Sequence, residues 1–190
     1  NIQLVAGEAR GIHIRGQGNL LPYLTLSEED DKLEIEVKEG YRLAPSEPLE
    51  ITITLPELHE LALAGTGNGE LHDFKGNELV LSVAGTGDIV ASGLEMNRLE
   101  GNIAGLGNLD LGEGSVRAME LNIAGSGGVL GARLLSQEAE VNIAGSGEVE
   151  LRVQERLKIE IAGAGSVNYW GDPELKSEIA GSGQVSRLGS

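Results

Sequence analysis

Residues 123–127 read IAGSG, and the same five letters return at 143–147 and 179–183. Close variants stand at 63–67 (LAGTG), 83–87 (VAGTG), 103–107 (IAGLG) and 161–165 (IAGAG). The alanines of the seven phrases, Ala64, Ala84, Ala104, Ala124, Ala144, Ala162 and Ala180, are separated by 20, 20, 20, 20, 18 and 18 residues. A fixed period near twenty is the signature of an array of stacked units.

Before each alanine comes Leu63, Val83, Ile103, Ile123, Ile143, Ile161 or Ile179, and two residues earlier Leu61, Leu81, Gly101, Leu121, Val141, Ile159 or Ser177. The positions between them are Ala62, Ser82, Asn102, Asn122, Asn142, Glu160 and Glu178. This two-residue alternation predicts a strand with one buried and one wet face. Two residues after the last glycine stand Gly69, Ile89, Leu109, Val129, Val149, Val167 and Val185, the start of a second short strand, and Phe74, Leu94, Val116 and Leu134 mark a looser third. At roughly 3.3 Å per residue, such a unit makes one circuit of a narrow prism. The expected fold is all-β: a single-stranded, right-handed parallel β-helix, a solenoid with about 18–20 residues per coil, its hand following from the rule for parallel crossovers. Leucine-rich repeats need an L-x-x-L-x-L-x-x-N phrase that is absent here, and no sixfold beat of a left-handed β-helix subdivides the units.

On this reading the paired glycines are corners of the coils: Gly65 and Gly67, Gly85 and Gly87, Gly105 and Gly107, Gly125 and Gly127, Gly145 and Gly147, Gly163 and Gly165, Gly181 and Gly183. A dinucleotide fingerprint, which GTGDIVASG at 85–93 faintly suggests, must follow one strand, open one helix and face one pyrophosphate. Seven copies without a helix argue against it. A calcium β-roll also puts G-x-G-x-D at its corners. Only Asp88 supplies that acid, however, the equivalent positions being Asn68, Asn108, Gly128, Glu148, Ser166 and Gln184. Polar turn residues account for the same row.

Before residue 60 the period is lost, yet KLEIEVKEG alternates Leu33, Ile35 and Val37 against charges, and LEITITLPEL alternates Leu49, Ile51, Ile53 and Leu55. A single domain over 1–190 is expected, with 1–60 forming irregular first coils or an N-terminal cap and 61–185 the regular repeats. Solenoids need such caps over their open ends. Pro45, Pro48 and Pro56 punctuate the connections.

Aromatic residues make up only 3% of the chain and glycine numbers 29, so the core must be aliphatic and closely spaced. Fourteen basic against thirty acidic side chains give a formal charge of −16. That charge repels phosphate backbones and anionic lipid surfaces, which excludes nucleic acid as an expected partner. The absence of cysteine removes disulfides and thiolate chemistry. No apolar run approaches membrane-spanning length, and the first residue, Asn1, is what a processed or trimmed leader would leave.

The AGSG corners, the phrase LPELHELALAGTG at 55–67 and the phrase VNYWGDPELKSEIAGSGQV at 167–185 together resemble the bacterial head GIN domain family, described as auto-transporter adhesins. The likeness spans roughly residues 10–185. Members commonly carry Ser-Gly-Ser-Gly corners and an aromatic pair before Gly-x-Pro. Here alanine stands where many have serine, and the aromatic phrase is Tyr169-Trp170-Gly171-Asp172-Pro173. The resemblance implies a right-handed parallel β-helix exported across the inner membrane, often in an envelope-associated protein: periplasmic, outer membrane-associated or at the cell surface. It carries over no catalytic residues.

His13, His59 and His72 form no H-x-x-x-H pair, so neither a metal nor any other cofactor is expected. Glycoside hydrolysis needs two acids beside a groove walled by loops and aromatic platforms. These units are nearly free of insertions, so an enzyme is not the expected outcome.

One surface is patterned. Four residues before the alanines stand Glu100, Glu120 and Glu140, followed by Lys158 and Lys176, and two residues before them stand Asn102, Asn122 and Asn142. At an interstrand spacing of about 4.8 Å, neighbouring glutamates repel by roughly 0.9 kcal/mol in water, and ladders of amide hydrogen bonds along the asparagines offset this. Such a face reads first as a solvated sheet surface whose charges block unwanted pairing, and second as a flat polar strip for glycans, divalent cations or a basic partner. Tyr169 and Trp170 are the one aromatic pair: one of two adjacent strand residues points inward and the other is a candidate platform. The expected function is a non-enzymatic, envelope-associated β-helix that presents a rigid face to a glycan or another envelope protein. The alternative is a structural module assembling end to end through the solenoid ends, and a third reading is a carbohydrate-active enzyme.

Overall fold

A computed structural model describes residues 1–16, 21–29, 32–38 and 49–189. Pro45 and Pro48 lie outside the described residues. The protein is a parallel β-solenoid of about six turns, and each repeat contributes strands to three faces.

The first face holds the strands that run into the glycine corners: β6 (Glu60–Gly65), the ends of β8 (Lys75–Gly85), β10 (Leu94–Gly105), β12 (Gly114–Gly125), β13 (Gly128–Gly145) and β14 (Glu148–Gly163), and then β16 (Glu174–Gly181). The second face follows the corners: β7 (Gly69–His72), β9 (Asp88–Ser92), β11 (Asn108–Leu111), the beginnings of β13 and β14, β15 (Ser166–Trp170) and β17 (Gln184–Gly189). The third is formed by the early residues of β8, β10 and β12 and the middle of β13 and β14.

Stacking places like on like. Ile103 pairs in register with Val83 and Ile123, and Ile123 with Ile143, so the aliphatic positions form continuous columns in the bore. Val83, Ile103, Ile123 and Ile143 are buried, as are Phe74, Leu94, Val116 and Leu134. The gap that Gly101 leaves in its column is filled by its neighbours: a Cβ there would lie 2.8 Å from Leu109 Cδ1 and 2.9 Å from Leu121 Cδ2. The drop from twenty to eighteen residues per coil is taken up between β13 and β14. Leu135 follows Gly131 in the pairing with consecutive residues Leu151 and Arg152, and one residue is added back between Val153 and Arg156.

The N-terminal segment extends the second face. β1 (Ile2–Ala6) lies parallel on β7, with Ile2 opposite Gly69. On its other side lies β5 (Glu50–Leu55), also parallel, and β2 (Gly11–Arg15) closes that edge antiparallel to β5. Ile51 and Ile53 of β5 are buried, as their alternation predicts. β3 (Leu24–Glu29) and β4 (Lys32–Val37) form a separate antiparallel pair, and Leu33 and Ile35 of β4 pack against the main core. β1 and β5 thus continue the stack of the second face, with β2 antiparallel at its edge.

Candidate functional site

The outer surface of the first face carries four columns of side chains, set by the two-residue strand period. Nearest the corner are the exposed alanines, from Ala84 to Ala180. Next comes the row of Ser82, Asn102, Asn122, Asn142, Glu160 and Glu178, then Val80, Glu100, Glu120, Glu140, Lys158 and Lys176, and last Glu78, Arg98, Ala118, Glu138, Arg156 and Glu174. The structure thus brings Glu100, Asn102, Glu120, Asn122, Glu140 and Asn142 together on one strip.

The amide ladder forms. Asn142 Nδ2 donates to Asn122 Oδ1 at 3.0 Å, Asn122 Nδ2 to Asn102 Oδ1 at 3.1 Å, and Asn102 Nδ2 to Glu100 Oε1 at 2.9 Å. Asn122 Nδ2 also reaches Glu120 Oε1 at 3.4 Å. The ladder's donors are largely spent inside it, so the strip presents chiefly amide and carboxylate oxygens with lone pairs to spare.

Relief of the glutamate column comes from more cations than Lys158 alone. Lys158 Nζ lies 2.9 Å from both Glu140 Oε1 and Glu160 Oε1. Hydrogen bonds to Glu140 and then Glu160 raise the Lys158 ammonium above its ordinary pKa, and the bond from Lys158 lowers that of the Glu160 carboxyl. Arg98 lies 3.4 Å from Glu78 and also bonds Glu120 diagonally, across Ala118, which carries only a methyl group. Arg156 pairs with Glu138. These arginines were missed in the sequence, though the sign changes in the column six residues before each alanine could have revealed them.

Between the asparagine row and the alanines runs an open groove of about 940 Å³. It spans six coils, from Ala84 to Ala180, with alanine methyls on its floor and the Asn102, Asn122 and Asn142 ladder along its side. The isoleucines beneath it point into the bore.

The two glycines of each corner serve different needs. Gly105 has φ of +133°, a region L side chains rarely adopt. Gly107 does not, but a Cβ there would meet Gly87 O at 2.1 Å and Val83 Cγ1 at 2.6 Å. The first corner differs: at Gly65 and Gly67 a Cβ would meet nothing within 4 Å.

Asp88 belongs to a second ladder. Asn68 Oδ1 accepts the Asp88 backbone N–H at 3.1 Å, Asp88 Oδ1 accepts from Asn108 N and Nδ2, both at 2.9 Å, and Asn108 Oδ1 accepts from Gly128 N at 3.0 Å. These bonds tie the first residues of successive second-face strands, and Asn68 just before β7, to one another. No group of three or more acidic, histidine or cysteine side chains that could hold a metal occurs among the described residues. His72 Nδ1 lies 2.9 Å from Ser92 Oγ, and His59 is exposed beside Glu57.

The aromatic pair is split. Tyr169 is buried in the core, so it is corrected from a candidate contact residue to a bore-filling one, because its place in β15 faces inward. Trp170 is half-buried at the end of β15 on the second face, with its ring beside Gly189, whereas the strip lies on the first face.

The sequence profile of the family described as "Putative auto-transporter adhesin, head GIN domain" matches residues 1–173. The chain belongs to the head GIN domain family. That description is one of a cell-surface or envelope protein. Two solved structures show the same fold around this head GIN domain. A putative adhesin from Bacteroides fragilis is 21% identical with a TM-score of 0.90, the match covering 98% of this chain and 87% of that one. A putative lipid binding protein from Parabacteroides distasonis is 26% identical with a TM-score of 0.81, covering 99% and 88%. No curated protein sequence matches the head GIN chain, and no helix among its described residues is long and apolar enough to cross a membrane.

Proposed function

We propose that this protein is a non-enzymatic, exported adhesin of the bacterial envelope that lays an extended glycan along the groove of the first face. The observation that carries this reading is the continuity of the groove over six coils. An extended polymer can repeat its contacts from coil to coil there. The alanine methyls suit the apolar face of a sugar ring, and the acceptor-rich row of Asn102, Asn122 and Asn142 with Glu100, Glu120 and Glu140 suits its hydroxyl donors.

The test is a glycan array probed with the protein and with Ala124→Trp, which fills the groove from an exposed position and leaves the bore untouched. Binding should disappear while the melting temperature holds. A second variant, Glu120→Ala with Asn122→Ala, should weaken the same glycan signal; undiminished binding by both variants rejects the groove as the site.

The alanine floor also favours a second reading, in which an acyl chain lies on the methyl stripe. The name of the Parabacteroides distasonis relative supports it. Co-sedimentation with zwitterionic vesicles, lost in Ala124→Trp without any signal on the glycan array, would select the lipid.

A further inference from the structure

The third face carries a groove of its own, apart from the strip of the first face. It is about 400 Å³ in volume and runs across the coils between two outward columns, with Gly76, Met96 and Val116 on its floor. One column is Lys75, Glu95, Ser115 and Leu135, paired in register. The other is Asn77, Asn97, Arg117 and Gln137, each flanked by positions in register. Gln154 closes it where β14 adds a residue.

The second column is rich in hydrogen-bond donors, and most of them are unspent. Asn97 Nδ2 donates to Asn77 Oδ1 at 2.9 Å. Arg117, Gln137 and Gln154 are exposed and have no hydrogen-bond or ion-pair partner among the described residues. For a cation this sets Arg117 apart. Every other lysine and arginine of residues 61–185 meets a carboxylate, except Arg152, whose Nε donates to Ala132 O. Acidic side chains outnumber basic ones thirty to fourteen, yet Arg117 stands between the neutral Asn97 and Gln137.

The net charge of the chain does not bar an anion from this groove. Exposed charges farther off than about 8 Å are largely screened at physiological ionic strength. Glu95, the one acid lining the groove, is held by Lys75 at 2.7 Å. What remains is the single positive charge of Arg117. A guanidinium is a planar fork that takes a carboxylate through two parallel hydrogen bonds. Around it, the Gln137 and Gln154 amides, Asn97 Oδ1 and Ser115 Oγ both donate and accept, as sugar hydroxyls require, and half-buried Leu135 offers an apolar surface to a ring. We infer that the third-face groove is a second glycan site, selective for a sugar that carries a carboxylate, with Arg117 binding the carboxylate and the surrounding amides reading the hydroxyls. It rests on no part of the first-face reading.

Oligogalacturonate is the probe and its methyl ester the neutral control, each titrated calorimetrically into the parent protein, Arg117→Ala, Arg117→Lys and Ala124→Trp. The parent should bind the acid at least about tenfold more tightly than the ester, and added salt should weaken that binding. Arg117→Ala should lose at least about tenfold in affinity. Arg117→Lys should keep only part of it, because an ammonium lacks the fork. Ala124→Trp should bind the acid as the parent does, which separates this site from the groove of the first face. Circular dichroism checks that the variants are folded; Arg117 is exposed, so its replacement leaves the bore intact. No binding of the acid, equal binding of the ester, an Arg117→Ala variant as tight as the parent, or loss of the acid in Ala124→Trp would each overturn the inference.

Discussion

Ile143 and Ile179 sit in identical phrases, IAGSG at 143–147 and at 179–183. Both end a strand of the first face, and the glycines that follow them take the same φ, +134° at Gly145 and +133° at Gly181. Yet Ile143 is 2% exposed and Ile179 43%. The difference is made by stacking: Ile143 lies between Ile123 and Ile161, whereas among the described residues Ile179 pairs with Ile161 alone. In a solenoid each repeat specifies its own bends, but its burial belongs to its neighbours.

The largest test of that contrast is truncation of each isoleucine. Ile143→Ala should cost about 2–5 kcal/mol, through lost burial and a cavity closed in by coils on both sides. Ile179→Ala should cost under about 1 kcal/mol, because its site is open on one side. Urea denaturation compares the two, and equal losses would mean that the last coil is covered in solution.

The glycine corners sharpen the same contrast from the other end of the array. Gly107→Ala drives a methyl into Gly87 O and Val83 Cγ1 and should cost about 1–3 kcal/mol through overpacking. Gly67→Ala, in the same place of the first corner, meets nothing within 4 Å and should change stability by less than about 0.5 kcal/mol. Thermal melts of the pair would break the stacking explanation if Gly67→Ala proved as damaging as Gly107→Ala.

The smallest effect belongs to Lys158, where two coils are tied by exposed charges. The Glu160 carboxyl titrates below its ordinary value because Lys158 hydrogen-bonds it. Its contribution is therefore complete above the ordinary carboxylate range and is lost as pH falls through the lowered value. The Lys158 ammonium titrates above its ordinary 10.5, so its contribution is complete below that value and is lost only at more alkaline pH. Lys158→Met should show a small, flat deficit between these limits that shrinks towards acid. Denaturation midpoints across a pH series follow it, and added salt should diminish it.

Much of this molecule is written locally. The alternation around Ile123 gives the strand, the paired glycines give the corner, and the repeat length near twenty gives the circuit. Even the Asn102, Asn122 and Asn142 ladder is legible, since a fixed period puts equal residues one strand spacing apart. The column contacts of Arg98 with Glu78 and Arg156 with Glu138 follow the same period, but the remaining arginine contact was harder to see. Arg98 reaches Glu120 on a diagonal that opens because Ala118 is small, and a diagonal is invisible to a comparison of equivalent positions. The groove was hidden for a similar reason: alanine reads as a small strand residue, and only the stack turns six of them into a floor.

By itself, then, the sequence determined the coil: its period, its bends, and which side of each strand faces the bore, because these depend on spacing along the chain. Tertiary structure decided what lies beside each coil. It set β1 between β5 and β7 and turned Tyr169 inward. Those outcomes depend on contacts between segments far apart in the chain, such as Ile2 opposite Gly69, and no local period encodes them.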